Sequence, residues 1–243
     1  MKKLLSIFVL LAIGILSRAQ QTIDDPNAEP REAKNFHAIS ISNAFDVFIS
    51  QGNEEGVAVS ASEEKYRQNI RTEVRDGVLK IWFEKDGFKF WNGFNQGGMK
   101  LRAYISFKNI DKLTVSGACD IHVNGVINAD DLVIHLSGAS DFKEGGKINA
   151  EKLSIDATGA SDLNIAGSAN ELHIEATGAS DFKGFDFVTD YCEAKVSGAS
   201  TINITVNKEL SAHATGASNV NYKGDGLIRE IKTSGASNVS KRS

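Results

Sequence analysis

Proline, cysteine, methionine and tryptophan are scarce in this 243-residue chain, with two of each. Two cysteines cannot build the disulfide framework of a small secreted domain. Both prolines, Pro26 and Pro30, fall in the polar stretch from Gln20 to Asn35, which reads as a flexible linker at residues 20–35. Positive charge is outnumbered, with 27 Lys and Arg against 31 Asp and Glu. That balance argues against nucleic acid as a partner, since such binding is driven by neutralising phosphates. Only one long apolar run is present, Leu4 to Leu16, and its 13 residues fall short of the roughly 20 that a membrane-spanning helix needs. Lys2 and Lys3 precede the run and Ser17-Arg18-Ala19 follows it, the pattern of a signal peptide at residues 1–19. No cysteine follows to carry a lipid anchor. Cleavage after Ala19 leaves 224 residues and removes three cations, so the charge becomes 24 − 31 = −7. The expectation is an exported chain in the periplasm, at the cell surface or secreted, with no transmembrane segment once mature.

Glycine, by contrast, is plentiful at 22 residues, without the G-X-Y period of collagen. Seven of these glycines belong to one recurring phrase. It begins as Ser116-Gly117-Ala118-Cys119-Asp120 and continues from Ser137, Thr158, Thr177, Ser197, Thr215 and Ser234, at intervals of 21, 21, 19, 20, 18 and 19 residues. A period near 20 with internal alternation signals a solenoid. Counting from the Ser or Thr of each phrase, position −3 holds Leu113, Ile134, Ile155, Ile174, Ala194, Ala212 and Ile231. Position −5 is mostly Leu, with Asp111, Cys192 and Arg229 as exceptions, while −4 and −2 are mostly polar. Position +5 is apolar throughout, from Ile121 and Phe142 to Val239. This period of two predicts strands with one buried face, stacked at about 4.8 Å per coil. The fold expected is an all-β, right-handed parallel β-helix with about seven regular coils over residues 111–243.

The corner glycines Gly117, Gly138, Gly159, Gly178, Gly198, Gly216 and Gly235 suit a turn that needs positive φ. The alanine after each is expected to point into a cramped corner, so that Ala160→Leu would cost about 1–3 kcal/mol. Residues 36–110 are expected to form an N-terminal β region that caps the first coil. It contains an alternating strand from Ile39 to Ser50, a strand from Gly56 to Ser60, and a short helical stretch from Glu63 to Asn69. A strand pair, Ile70–Val74 and Val78–Phe83, follows around Arg75-Asp76-Gly77, and Ser42-Asn43-Ala44-Phe45-Asp46 reads as a degenerate copy of the repeat phrase.

The repeated Ser/Thr-Gly-Ala-Ser-Asp turns, together with Phe45-Asp46-Val47 and Asp76-Gly77-Val78-Leu79-Lys80-Ile81, resemble the head GIN domain family of auto-transporter adhesins over roughly Phe36 to Ser240. The resemblance implies a right-handed β-helical protein of the bacterial envelope with no established catalytic activity. The outer-membrane barrel of a true autotransporter, many amphipathic strands of about ten residues, is not found up to Ser243.

Candidate site residues fall into a few groups. Asp120, Asp141, Asp162 and Asp181 share one column, followed by Thr201, Asn219 and Asn238. Carboxylates about 5 Å apart invite a calcium ladder, but Asp, Asn and Thr are also interchangeable as hydrogen-bonding partners of turn amides, which is the favoured reading. The Ser/Thr column suggests an ice-binding array, yet its neighbour at −2, with His135, Asp156, Glu175 and Lys195, is charged and breaks the regular hydroxyl surface. A polysaccharide lyase would need a basic residue and a cation beside a uronic acid. His37, His122, His135, His173 and His213 form no triad or metal set, and no cofactor is implied. Cys119 and Cys192 are expected four coils apart, roughly 19 Å, and so remain free thiols, Cys192 in the core and Cys119 accessible in a turn. Lastly, the insertion at residues 84–100 carries Phe88, Phe90, Trp91 and Phe94, which either fold back over the core or form a binding patch for a glycan or an envelope protein. The function expected is a non-catalytic binding or adhesion module, the alternative being a carbohydrate-active β-helix lyase or hydrolase. A strand edge near Ser240 offers a route to a homo-oligomer.

Overall fold

The computed structural model describes residues 24–84 and 98–243. The first part contributes β1 (Glu29–Arg31), β2 (Ala38–Asn43), β3 (Phe45–Gln51), β4 (Gly56–Ser60), one helical turn α1 (Glu64–Arg67), β5 (Ile70–Arg75) and β6 (Val78–Phe83). After the insertion come β7 (Leu101–Phe107), β8 (Lys112–Gly117), β9 (Asp120–Val123), β10 (Val126–Gly138), β11 (Asp141–Phe142), β12 (Lys147–Gly159) and β13 (Asp162–Asn164). The chain continues with β14 (Ala166–Gly178), β15 (Asp181–Val196), β16 (Thr201–Ala214), β17 (Asn219–Lys223), β18 (Leu227–Thr233) and β19 (Asn238–Lys241). Strands one coil apart pair in parallel with equivalent repeat positions opposite each other: Ile134 faces Leu113 and Ile155, and Phe142 faces Ile121 and Leu163. The parallel solenoid is therefore as expected. The seven repeat phrases bound six complete turns, against about seven regular coils expected.

Inward positions fill a continuous core from Ile39 to Val220, in which Ile155, Leu163, Ile174, Phe182, Ile202 and Leu210 are fully buried. Each side chain continues a column of like residues, so burial accumulates along the axis although no single coil could bury its own apolar face. One register differs from the expectation. A bulge in β18 sets Ile228, not Arg229, opposite Leu210, with Arg229 as the extra residue.

The corners correct a second expectation. All seven alanines that follow the corner glycines are exposed, and the next residue turns inward instead. Ser140, Ser161, Ser180, Ser200 and Ser218 have no solvent exposure. Four of these hydroxyls donate within their own corner, Ser140 to the Ser137 carbonyl at 3.1 Å, Ser161 to that of Thr158 at 3.1 Å, Ser180 to that of Thr177 at 3.2 Å and Ser218 to that of Thr215 at 2.7 Å. The ladder also runs between coils, since Ser180 Oγ accepts from the Ser161 amide at 3.2 Å and Ser200 Oγ from the Ser180 amide at 3.0 Å. A polar column is stable here because both its donors and its acceptors are used. Cys119 occupies the same position, with Sγ 3.7 Å from the Ser116 and Asn43 carbonyls. It is buried, not accessible, and burial raises its thiol pKa. Cys192 lies in the core as expected, its pKa pushed up to about 12 by burial, and both thiols are free. At Gly138, φ is +86° and a Cβ would stand 2.3 Å from the Gly117 carbonyl oxygen, so the corner excludes side chains for two independent reasons.

The N-terminal region caps the solenoid by an unexpected route. Ser42 aligns with Ser116 and Asn43, at φ +88°, with Gly117, so the degenerate phrase is an eighth corner. The coil that contains it is not the outermost one. β6 pairs with the other side of β2, and β7 with the other side of β3, so a later stretch of chain lies outside an earlier one. β5 then closes one sheet as an antiparallel edge, and β4 followed by β1 closes the other.

From Asp24 onward the expected linker is structured. β1 lies on β4, and Ala33 and Phe36 are buried. Asp25 is the anchor: it accepts from Ser60 Oγ at 2.6 Å, Tyr104 Oη at 2.8 Å and Arg102 Nη1 at 3.1 Å, and from the Asn27 amide at 3.0 Å. Burial pushes its carboxyl pKa up, but these hydrogen bonds outweigh burial and hold it at about 2.

Candidate functional site

The aspartate column forms as the repeat register requires, with Asp120 beside Asp141 and Asp162 beside Asp181, and with Asp46 opposite Asp120. Lysines two residues further along the strands reach into it. Lys143 Nζ lies 3.1 Å from Asp120 and 2.7 Å from Asp141, and Lys183 Nζ lies 2.9 Å from Asp162. These hydrogen bonds raise both lysine pKa values. Two of the carboxylates also accept from the backbone of the next coil and not from their own turn, Asp141 from the Asp162 amide at 3.4 Å and Asp181 from the Thr201 amide at 3.1 Å. Among the described residues no three His, Cys, Asp or Glu side chains converge on a metal position.

Four histidines each meet a carboxylate of a neighbouring coil: His37 with Asp111 at 2.8 Å, His135 with Asp156 at 3.4 Å, His173 with Glu193 at 3.3 Å and His213 with Glu230 at 2.9 Å. They are distributed along the surface and do not meet one another. His122 stacks on Phe48 at 4.8 Å, and Phe48 stacks on Tyr104 at 5.1 Å, a three-ring column on the outer face of β9, β3 and β7. Sequence reading did not find this column, because its rings come from three segments whose order in the stack differs from their order in the chain.

Phe88, Phe90, Trp91 and Phe94 lie outside the described residues, but both ends of their segment are placed. Ile81 aligns with Ile41, and Leu101 with Phe45. β6 therefore ends, and β7 begins, at one corner of the outermost described coil, where in the next coil Ala44 alone separates β2 from β3. At the root of the insertion Ala44, Asp46, Gly98, Met99, Lys100 and Leu101 line a hollow of about 180 Å³. A larger open hollow, about 370 Å³, lies before the same corner and is lined by Ser40, Ser42, Glu73, Lys80, Ile81 and Trp82. The strand alternation of Val78–Phe83 carried the signal for this feature, since it turns Leu79, Ile81 and Phe83 inward and leaves Trp82 on the outside.

Residues 35–226 match the family model described as "Putative auto-transporter adhesin, head GIN domain", and the chain belongs to that family. Solved structures share its fold. A putative adhesin from Bacteroides fragilis is 16% identical with a TM-score of 0.76, over 88% of this chain and 96% of the other. A putative adhesin from Parabacteroides merdae is 17% identical with a TM-score of 0.61, over 89% and 95%. A putative lipid binding protein from Parabacteroides distasonis is 20% identical with a TM-score of 0.64, over 89% and 98%. Comparison with curated proteins finds no match.

Proposed function

We propose that the protein is an exported, non-catalytic adhesion module of the bacterial envelope whose contact region is the aromatic insertion at residues 84–100. The observation that carries this reading is the position of the insertion. The stacked corners form a rigid edge, and only at the outermost described coil is the turn expanded, into a segment bearing Phe88, Phe90, Trp91 and Phe94. Aromatic side chains on a rigid scaffold supply contact area at low entropic cost. Export is supported by the Lys2-Lys3, Leu4–Leu16 and Ser17-Arg18-Ala19 pattern and by the family, and no helix among the described residues is long and apolar enough to cross a membrane. The dispersal of the histidines, each engaged by a carboxylate or a ring, favours binding over catalysis.

The partner is a glycan or an envelope protein. A glycan array probed with the protein and with the Trp91→Ala/Phe94→Ala variant tests this: bound glycans should be lost in the variant, whereas turnover of an acidic glycan would establish the lyase alternative. The name of the Parabacteroides distasonis neighbour raises a lipid as a second ligand, but the interior here is filled by side chains from Ile39 to Val220. β18 presents Leu227, Ile228 and Ile231 to solvent, an apolar strip that supports contact with a second copy of the chain.

A further inference from the structure

We propose that the hollow on the outer face of β5, β6 and β2 is a saccharide site in which a neutral pyranose ring stacks on Trp82. This rests on the reading of the chain as a binding module, though not on the insertion as its contact region. The hollow follows from side-chain sizes in register. Arg71 lies opposite Trp82, Glu73 opposite Lys80, and Lys80 beside Ser40. Large side chains on β5 and β6 thus adjoin the small Ser40 and Ser42 of β2, and the step between them leaves about 370 Å³ open to solvent. That volume falls in the range of small-molecule sites.

The chemistry of the lining is mixed in a specific way. Trp82 supplies an aromatic surface, Lys80 only donates hydrogen bonds, Glu73 only accepts them, and the two serines do both. A pyranose has the matching pattern, an apolar C–H face surrounded by hydroxyls that donate and accept. Glu73 and Lys80 are direct cross-strand partners, yet neither forms an ion pair among the described residues. Elsewhere on this surface a directly opposed pair closes on itself, as Lys152 and Glu171 do at 3.4 Å. The two charges of the hollow therefore remain available to a ligand. Being opposite in sign, they favour a neutral sugar: Glu73 repels an anionic one and Lys80 a cationic one.

The two tryptophans of the chain allow a direct test. In a Trp91→Phe variant Trp82 is the sole tryptophan, and its emission is followed while cellotriose, mannotriose or the N-acetylglucosamine trimer is added. At least one neutral trisaccharide should shift the emission and bind by calorimetry. Trp82→Ala should weaken that binding at least ~10-fold, and Glu73→Gln and Lys80→Met about 3-fold or more each, with unchanged melting temperatures because these side chains face outward. No response to any of the three sugars, together with a blank neutral-glycan array, would overturn the site. Binding that survives Trp82→Ala but disappears in Trp91→Ala/Phe94→Ala would also overturn it while leaving the insertion reading intact. A preference for uronic-acid oligomers lost in Lys80→Met and strengthened in Glu73→Gln would contradict the neutral ligand class.

Discussion

At the residue scale, the informative contrast is between the alanine and the serine that sit next to each other in six of the seven repeat corners. The alanine faces water and the serine faces the core, so their tolerance of substitution should differ in a direction opposite to ordinary hydrophobicity. Ala160→Leu should leave the urea midpoint nearly unchanged, within about 0.5 kcal/mol, because the side chain projects into solvent. Ser180→Ala, which removes only the hydroxyl, should cost about 1–3 kcal/mol, because it strands the Ser161 amide and the Thr177 carbonyl. If the two variants rank the other way in urea unfolding, the corner assignment is wrong. Cys119→Ser should be well tolerated, since serine fills this position in the later corners, and the native thiol should react with a thiol reagent only on unfolding. The corner phrase itself was legible in the sequence, but its facing was not. Periodicity of apolar residues identifies buried columns, whereas a buried serine looks identical to an exposed one until its hydrogen bonds are known.

At the scale of elements, the segment from Asp24 to Phe36 shows how polar composition can mislead. Asp25 lies in a stretch with both prolines and reads as linker, yet four hydrogen bonds fix it to β4, β7 and its own turn. Its folded pKa, about 2, lies below the ordinary carboxyl value of 3.8, so the stabilisation it confers is fully present above about pH 4 and is lost as pH falls through about 2. The shift corresponds to about 2 kcal/mol. Asp25→Asn should therefore be less stable than wild type by roughly that amount at pH 7, and the difference should fade between pH 4 and pH 2 in urea titrations. A constant difference across that range would show that packing, and not ionisation, secures the segment. Long-range partners such as Tyr104 carry no signature in the local sequence around Asp25, which is why this contact was invisible there. The regular coils were readable because each strand's partners are its own repeat equivalents about 20 residues away.

For the whole molecule, the surface is a set of ladders, and neutralisation along them determines how it responds to ions. Lys143 and Lys183 already provide positive charge between the aspartates. Thermal melts in millimolar calcium should accordingly coincide with melts in chelator, and a rise of several degrees would reinstate the calcium ladder. The Lys143→Met variant sharpens the comparison. Its Asp120 and Asp141 lose their counter-charge, so its melting temperature should fall and should become sensitive to added salt.

The inverted order of the first coils also governs when the molecule can close. Most coils can be laid down as the chain emerges, each finding its partner about 20 residues back. β2 and β3 instead wait between two levels, with Ser42 meeting Ser116 only after 74 further residues, from 42 to 116, have been made. Through that interval their inward residues, Ile39, Ile41, Phe45 and Val47, have no complete neighbours, and the loop to be closed is the longest among the parallel pairs. The regular repeats supply a template that grows in one direction, while closure of the capped end waits for the first of them. A chain stalled before Asp120 would expose the aliphatic strands of its own beginning to a folding helper or a protease.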